Sequence, residues 1–500
     1  MVFLKQLNTG LSKKMNRQSF FYFTILFLFI VYLVFRVLIL MSFSSDIVIG
    51  EDNNVWNIQK MLSGKPLYTN PENYPFEIFQ YAPLSQYFTF YTAKLLNFKI
   101  GSNVHEIFVL GRLYSLMFNC LTSFLIFRIN KIHLLISNNV NLALSFVSLI
   151  IITYIDYTLR ADSVANFFVL LSLFYFFKTV ESNKLKFVIY TVFFSLLAIF
   201  SKQSAVQVLV YYFSIYLIIS PKKFINYILV VILSASLFCL FFYLIYGNLF
   251  FISTILGISN PADLKLGISL FFDYTKRFGI LLFISVLTVF IKKNEFNSNY
   301  VKILLFLFVS SFIFSFGTSQ KIGAGLNYYS MNIYISVLLV SIFVDRLYRS
   351  DFLKLNNLFL VILVSISSGH IFIERMYNRH LPQISLKHKS EYEIDVNFVN
   401  SVKKRIGIAK NQHYVFTPNK NIKNLYFYNT VLPNTEYYGA GVSPFNWSKF
   451  DKKKLKYIII NEKDSYVLNN RTFHQFHIDL SDYRVIYEYQ NRKLLCLKKN

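Results

Sequence analysis

The chain is 500 residues long, mostly apolar and strongly basic, which excludes an ordinary soluble domain. Hydrophobic residues make up 55% of it and the mean hydropathy is +0.44. Apolar runs of about 17 to 25 residues, the length that crosses a bilayer as a helix, recur along the chain. The net charge of +26 is typical of a membrane protein with Lys and Arg in its cytoplasmic loops, so we expect no nucleic-acid partner. The sequence predicts a polytopic α-helical membrane protein.

The three cysteines are Cys120 and Cys239, inside apolar runs, and Cys496 near the end of the chain. Their spacing is neither that of a disulfide framework nor that of a metal site. We expect all three to be inert.

The chain begins with a basic segment, residues 1–19, followed by an apolar run at 20–41. The run is too long for a signal-peptide core, so it predicts a retained first span with a cytoplasmic N-terminus. Residues 42–106 then form a large first outer loop that holds four of the ten prolines. Helical, amphipathic patterns at 52–61 and 84–96 predict two helices that lie along the membrane surface.

Ten further apolar runs predict ten further spans. They lie at 108–128, 142–155, 163–177, 187–200, 204–219, 224–246, 278–291, 303–316, 328–344 and 355–373. Alternating orientation from a cytoplasmic N-terminus puts the basic clusters between spans in the cytoplasm, as membrane proteins prefer. These clusters are Arg128/Lys131, Lys178/Lys184/Lys186, Lys222/Lys223, Lys292/Lys293 and Arg346/Arg349/Lys354. The sequence thus predicts about eleven spans in a membrane domain at 20–373.

An odd number of spans places the tail, residues 374–500, outside the membrane with the first loop. The tail is polar and rich in Asn, Tyr and Lys. Asp395 is a candidate N-cap for a helix that runs through Val402. Strand patterns follow, the last two separated by a short turn. They lie at 413–416, 425–428, 457–461, 483–489 and 494–497. We predict a small α/β domain on the outer face.

Polar and charged residues from distant parts of the sequence gather at the predicted outer ends of the spans. They are Glu51, Asp52, Arg112, Asp156, Arg160, Asp162, Lys202, Gln203, Lys321, Asn327, Tyr328 and Tyr329. Ionisable groups at membrane depth are costly and usually face a protein interior or a water-filled cavity. We therefore expect a single outward-facing cavity that acids and cations line.

Such a cavity suits glycosyl transfer from a polyprenyl-phosphate sugar. A carboxylate accepts the proton of the acceptor hydroxyl, and fixed cations neutralise the phosphate that leaves. Lys202 has no acid near it in the sequence and would be costly against lipid, which favours phosphate binding over an interfacial anchor.

Several short motifs share the predicted outer side and follow one order along residues 15–345. They are Glu51-Asp52, Gly64-Lys65-Pro66-Leu67-Tyr68, Tyr81-Ala82-Pro83-Leu84, Gly111-Arg112-Leu113, Arg160-Ala161-Asp162-Ser163, Ser201-Lys202-Gln203-Ser204 and Gly323-Ala324-Gly325-Leu326-Asn327-Tyr328. Each motif alone is weak, and their order and common side are more specific. Together they resemble the GT-C membrane glycosyltransferases, in the branch of protein O-mannosyltransferases and aminoarabinose transferases.

The resemblance implies a polyprenyl-phosphate-linked donor and a catalytic carboxylate in the first outer loop, which is Glu51 or Asp52 here. Many relatives read Asp-Glu where this chain reads Glu-Asp, so the choice of base stays open between the two. The acid that is not the base is a candidate to bind a divalent metal, to orient a hydroxyl or to cap the following helix, and no other cofactor is predicted. The candidate donor-phosphate ligands are Arg112, Arg160, Lys202 and Lys321, and the candidate supporting residues are Asp162, Gln203, Tyr81, Asn327 and Tyr328.

We expect an inverting hexosyl- or pentosyltransferase of the bacterial plasma membrane that acts outside the cell on a lipid, glycan or protein acceptor. The alternative is a transporter or flippase of lipid-linked saccharides, although the sequence lacks the paired broken helices of many transporters. A polysaccharide ligase or polymerase would be expected to carry its large outer loop late rather than first. A non-catalytic scaffold leaves the outer charges unexplained unless they pair structurally.

Some candidate residues also have structural interpretations. Asp52 precedes a helical pattern and Asp162 opens a span, so each is a candidate N-cap. Arg160 is a candidate snorkelling cation. Tyr81 is an expected interfacial aromatic residue.

Overall fold

A computed structural model gives the arrangement of most of the chain. It describes residues 17–43, 50–74, 76–156, 158–182, 184–219, 221–259, 261–290, 298–349, 359–360, 362, 366, 382–406, 414–417, 420–426, 430–431, 454–462 and 478–498.

Helices dominate the described residues. In chain order they are α1 Arg17–Leu40, α2 Glu51–Leu62, α3 Leu84–Leu95, α4 Val104–Ile132, α5 Asn138–Ile155, α6 Asp162–Glu181, α7 Leu185–Ile199, α8 Gln207–Ile219, α9 Pro221–Tyr246, α10 Asn248–Thr254, α11 Leu264–Leu287, α12 Ser298–Ser319, α13 Ser330–Arg349, α14 Pro382–Ile406 and α15 Lys420–Leu425. Short 3₁₀ turns at Gln203–Val206 and Leu326–Tyr329 lead into α8 and α13.

Seven described helices are long and apolar enough to cross a membrane, so the chain is an integral membrane protein. They are Gln18–Leu40, Val104–Ile132, Asn138–Ile155, Asp162–Glu181, Phe224–Tyr246, Asn299–Ser319 and Leu326–Arg349. Shorter apolar helices lie at Leu185–Ile199, Gln203–Ile218 and Asn248–Ile258.

The first ten predicted spans each coincide with a described helical segment. The spans predicted at 187–200 and 204–219 are two of the shorter apolar helices. The span predicted at 278–291 is the end of α11, whose first half carries Asp273 and Arg277. The eleventh, at 355–373, lies almost wholly outside the described residues, so the count of eleven stays a prediction.

The two helices predicted in the first outer loop are present as α2 and α3. Most of α2 is buried, and its lysine, Lys60, forms an ion pair with Glu77 at 2.8 Å. The indole nitrogen of Trp56 donates to the same carboxylate at 3.2 Å. Helix α2 is therefore covered by protein on more sides than a helix that lies along a membrane surface would be.

The predicted α/β character of the tail is confirmed. Its strands are β1 Tyr414–Phe416, β2 Thr430–Val431, β3 Leu455–Asn461, β4 Tyr483–Tyr489 and β5 Arg492–Leu497. They form a five-stranded sheet in the order β2-β1-β3-β5-β4. The pairings β1–β2 and β1–β3 are parallel, and β3–β5 and β4–β5 are antiparallel.

Two local predictions in the tail are wrong. Residue 425 ends α15, so the predicted strand at 425–428 does not begin there. Helix α14 begins at Pro382, which places Asp395 inside the helix rather than at its cap. Asp395 instead accepts a hydrogen bond at 2.8 Å from Arg492 of β5, a buried tertiary contact that local sequence patterns do not reveal.

The tail and the first outer loop share one apolar core. Buried side chains from α2, α4, α14, α15 and the sheet contact one another there. They include Val55, Ile58, Ile107, Phe108, Phe398, Val399, Ile422, Leu425 and Leu494. The tail is therefore packed against the segment that carries Glu51 and Asp52.

Candidate active site

Helix α2 sets the position of the two first-loop acids. Its N-cap residue is Gly50, whose φ of 101° lies in the left-handed region that glycine tolerates. Glu51 and Asp52 therefore occupy the first turn, where the helix dipole favours negative charge. The interpretation of Asp52 as an N-cap is wrong for this reason.

Glu51 forms a fully buried, two-pronged ion pair with Arg112 of α4. The Arg112 Nε and Nη2 atoms donate to Oε1 and Oε2 of Glu51, each at 3.0 Å. Arg112 Nη1 also lies 3.4 Å from the carbonyl oxygens of Leu40 and Ser42. The pair therefore ties the end of α1, α2 and α4 together. Both side chains are wholly inaccessible to solvent.

The same carboxylate holds the segment between α5 and α6. The Leu159 amide donates to Glu51 Oε1 at 2.9 Å, and the Leu159 carbonyl accepts from Asn54 Nδ2 at 2.6 Å. Leu159 lies so close to α4 that a Cβ at Gly111 would be 2.2 Å from its Cδ1 atom. The Gly111-Arg112 motif thus has a physical reason: the glycine admits Leu159 and the arginine binds Glu51.

A second charge cluster lies directly after Leu159. The Asp162 carboxylate contacts Lys202 Nζ, accepts from Asn327 Nδ2 at 2.8 Å and lies 3.6 Å from Arg160 Nε. Residue Ala161 is the N-cap of α6, and no side chain caps that helix. Asp162 is therefore a partner of two cations rather than a cap. Lys202 has no acid near it in the sequence, and the folded chain places Asp162 beside it.

These cations open onto a cavity of about 330 Å³. Its lining combines positive, aromatic and apolar side chains. They are Gln80, Tyr81, Arg160, Lys202, Gln203, Ser204, Val206, Ile258, Ala262, Phe314, Gly317, Thr318, Lys321, Ile322, Gly323 and Tyr328. Lys202 Nζ also lies 5.0 Å from the centre of the Tyr328 ring, within range of a cation–π contact.

Six of the eleven predicted site residues line this cavity, namely Tyr81, Arg160, Lys202, Gln203, Lys321 and Tyr328. At the edge of the cavity, Asp162 contacts Lys202 and accepts a hydrogen bond from Asn327. Glu51, Asp52 and Arg112 do not line it. Gln203 supports the wall, because its amide donates to the carbonyl oxygens of Gln80 and Thr254 at 2.6 and 3.3 Å.

The electrostatics keep the cavity positive. Burial alone lowers the pKa of Lys202, but the Asp162 carboxylate raises it, and the pKa ends above its usual value. Burial likewise opposes the charge on Arg160, whereas Asp162 and the Tyr81 hydroxyl raise its pKa. Both side chains are therefore cations at neutral pH.

Asp156 adds a titratable group beside this cluster. Its carboxylate accepts from Asn166 Nδ2 at 2.5 Å and from the Tyr334 hydroxyl at 3.2 Å. Burial, and then the charge of Asp162, raise its pKa from 3.8 to about 7, against the opposing effect of Lys202 and Arg160.

Sequence reasoning missed two contributions to this region. Gln80 lines the cavity and donates to the Gly257 carbonyl at 2.7 Å. Lys423 of the tail forms an ion pair with Asp52 at 3.0 Å. Neither has a local signal, because each partner is distant in the sequence.

The arrangement does not fit the divalent metal considered for Glu51 or Asp52. Each carboxylate faces a cationic side chain, Arg112 or Lys423. Among the residues that the structure describes, no group of three or more His, Cys, Asp or Glu side chains is placed to hold a metal ion.

Comparison with solved structures identifies the fold. ArnT from Cupriavidus metallidurans bound to undecaprenyl phosphate superimposes with a TM-score of 0.55 at 11% identity, over 96% of this chain and 98% of that one. Its apo form gives a TM-score of 0.57 at 11% identity, over 94% and 97%. These proteins are GT-C glycosyltransferases. The chain has the GT-C fold.

The oligosaccharyltransferase AglB from Archaeoglobus fulgidus, in complex with an inhibitory peptide and a dolichol-phosphate, has the same GT-C fold. It gives a TM-score of 0.52 at 10% identity, over 97% of this chain and 75% of that one. No protein-family model and no curated protein matches the sequence. The resemblance seen in the sequence is thus confirmed as a GT-C fold, and residue roles rest on the geometry above.

We predict that Arg112→Ala lowers the free energy of unfolding by about 3–5 kcal/mol, because it leaves Glu51 buried without its cation. Thermal unfolding of the detergent-solubilised chain measures this loss. Lys389→Ala is a suitable control, since the Lys389–Glu393 pair at 4.0 Å is about half exposed and contributes about 1 kcal/mol at most. Equal effects of the two variants would contradict a structural role for the Glu51–Arg112 pair.

We also predict a pH-dependent difference between the wild type and Asp156→Asn. The folded chain holds an extra proton at Asp156 between pH 3.8 and about 7, so this group lowers stability as the pH rises through that window. The unfolding free energy of the wild type relative to the variant should fall across the window and level off above it. Thermal unfolding across a pH series tests this, and a constant difference would show that Asp156 does not titrate there.

Proposed function

We propose that this GT-C protein transfers a sugar from a polyprenyl-phosphate-linked donor to an acceptor hydroxyl or amide at the extracytoplasmic face of the membrane. The observation that carries the proposal is the cavity in which Arg160, Lys202 and Lys321 meet beside apolar side chains. A phosphate joined to a hydrocarbon chain matches both halves of this lining. The solved ArnT and AglB structures, which contain undecaprenyl phosphate and a dolichol-phosphate, support the same ligand class.

On the donor side, the cations bind and later stabilise the phosphate. Asp162 fixes Lys202 and Arg160 before the donor arrives, so little reorganisation is needed when negative charge develops on the leaving phosphate. The apolar residues Val206, Ile258 and Phe314 also line the cavity and suit contact with the first isoprene units.

On the acceptor side, a carboxylate takes the proton as the acceptor oxygen or nitrogen attacks the anomeric carbon. A new bond forms at that carbon while its bond to the phosphate oxygen breaks, and the phosphate leaves with the electron pair. A single displacement of this kind inverts the anomeric configuration. We place the reaction at the outer face of a bacterial plasma membrane, with the N-terminus in the cytoplasm and the tail outside, and with a lipid, glycan or protein as acceptor.

Of the two first-loop acids, we assign the base to Asp52. Arg112 and the Leu159 amide bind both oxygens of Glu51, whose side chain is wholly inaccessible to solvent, which suits a positioning role. Asp52 is also largely buried and paired with Lys423, but its side chain keeps 5% exposure. Asp52 is the next residue, and Arg160 is the residue after Leu159. The Glu51–Leu159 hydrogen bond therefore holds the proposed base and a proposed phosphate ligand in a fixed relation.

The proposal predicts that two substitutions separate catalysis from donor binding. Asp52→Asn should lower kcat by about 10²- to 10⁴-fold, the usual contribution of a general base, and leave donor affinity unchanged. Lys202→Met should weaken binding of the polyprenyl-phosphate sugar, because a buried phosphate loses a charged hydrogen bond. Turnover and donor binding of the purified chain in nanodiscs provide the measurements.

Lys389→Ala, on the exposed side of α14, serves as the control for expression and handling. Full turnover in Asp52→Asn would remove Asp52 from the reaction, and unchanged donor binding in Lys202→Met would remove the phosphate site. Donor binding and movement across the bilayer without any sugar transfer in the wild type would favour the flippase instead.

A further inference from the structure

The tail contacts helix α2 through several hydrogen bonds and an ion pair, in addition to the apolar packing described above. Lys423 Nζ of α15 donates to Asp52 Oδ2 at 3.0 Å and to Asn53 Oδ1 at 2.8 Å. The neighbouring Asn424 donates from Nδ2 to the Asp52 carbonyl at 3.2 Å. Two successive tail residues thus bind the first turn of α2, where the proposed base lies.

A second contact fixes the far end of the same helix face. Gln59 Nε2 donates to both the carbonyl and the side-chain oxygen of Asn424, each at 3.2 Å, and Gln59 Oε1 accepts from the Gly101 amide at 2.7 Å. A Cβ at Gly101 would lie 2.9 Å from the Leu425 carbonyl oxygen, so glycine is needed for this close approach. Helix α15 therefore packs closely against α2 and the turn at Gly101.

The contact is buried as deeply as the protein core. Asp52 is 4% exposed, Lys423 8% and Asn424 1%. A lysine ammonium pays a large desolvation cost in such a place unless it is paired and hydrogen-bonded. An apolar residue at 423 would satisfy simple docking between Ile422 and Leu425, which already belong to the shared core. The charge of Lys423 therefore needs a reason beyond packing.

We propose that Lys423 is a positioning residue for the transfer reaction, and that the tail holds the first turn of α2 in its reactive arrangement through this side chain. The proposal rests on the proposed function, in which Asp52 is the base. Lys423 fixes the direction of the Asp52 carboxylate. The adjacent Glu51 binds the Leu159 amide, so the position of the first turn of α2 is linked to that of Arg160. The α/β domain is in this way a part of the active site rather than an appendage.

The test uses the full chain in nanodiscs with a polyprenyl-phosphate sugar donor, and compares the wild type with Lys423→Ala and Lys423→Arg. Lys423→Ala should lower kcat by about 10- to 100-fold, the range expected when a reacting group is misplaced, with the KM for donor within about 2-fold of wild type. Lys423→Arg keeps a cationic donor and should recover part of the lost kcat. Lys498→Ala is the matched control and should behave as wild type, because the exposed Lys498 ammonium donates to the Ser481 carbonyl, away from α2.

Hydrogen exchange of the α2 backbone gives a readout that does not depend on activity. Amides of residues 54–57, which bond to the carbonyls of the first turn, should exchange faster in Lys423→Ala and stay unchanged in Lys498→Ala. An unchanged kcat, or a loss that Lys423→Arg does not relieve at all, would overturn the positioning role. If the wild type transfers no sugar, the proposed function fails, and unchanged exchange at residues 54–57 in Lys423→Ala would then overturn the docking itself.

Discussion

The buried ion pair between Glu51 and Arg112 is the constraint on which the rest of the site depends. It joins α2 to α4 with two hydrogen bonds of 3.0 Å, and the same carboxylate accepts the Leu159 amide. Removing two charges from water is costly, and only such complete hydrogen bonding offsets the cost. Because Leu159 directly precedes Arg160, the pair also holds the segment that carries one cation of the cavity. Glu51, a candidate base in the sequence, thus holds the segments around it in place.

The cavity also depends on buried ion pairs. Asp162 is shared between Lys202 and Arg160, so one carboxylate compensates two cations only in part. Lys321 adds a further cation to the lining. In the proposed function, the donor phosphate brings negative charge to Lys202 and Arg160. Burial raises the effective strength of these interactions, since the screening by water is reduced inside the protein.

Much of this organisation could be predicted because its signals are local. Apolar runs predicted the helices, and the amphipathic patterns predicted α2 and α3 within one residue at each end. Sorting charges by membrane side groups Arg160, Lys202 and Lys321, which line one cavity, but it also includes Glu51, Asp52 and Arg112, which do not line it. The ion-pair partners were not predictable, because each pair joins residues that are distant in the sequence. These pairs are Glu51–Arg112, Asp52–Lys423 and Asp395–Arg492. The strand predicted from residue 425 does not begin there, because Leu425 ends α15. The side chains of Ile422 and Leu425 both pack into the shared core from that helix.

The central claim is that the donor phosphate binds between Lys202, Arg160 and Lys321. Cryo-electron microscopy of the chain in nanodiscs, saturated with a polyprenyl phosphate, tests it most directly. We predict phosphate density within hydrogen-bonding distance of Lys202 Nζ and Arg160, with the isoprenoid chain against Val206, Ile258 and Phe314. Density for the phosphate at another site, with this cavity left to solvent, would contradict it.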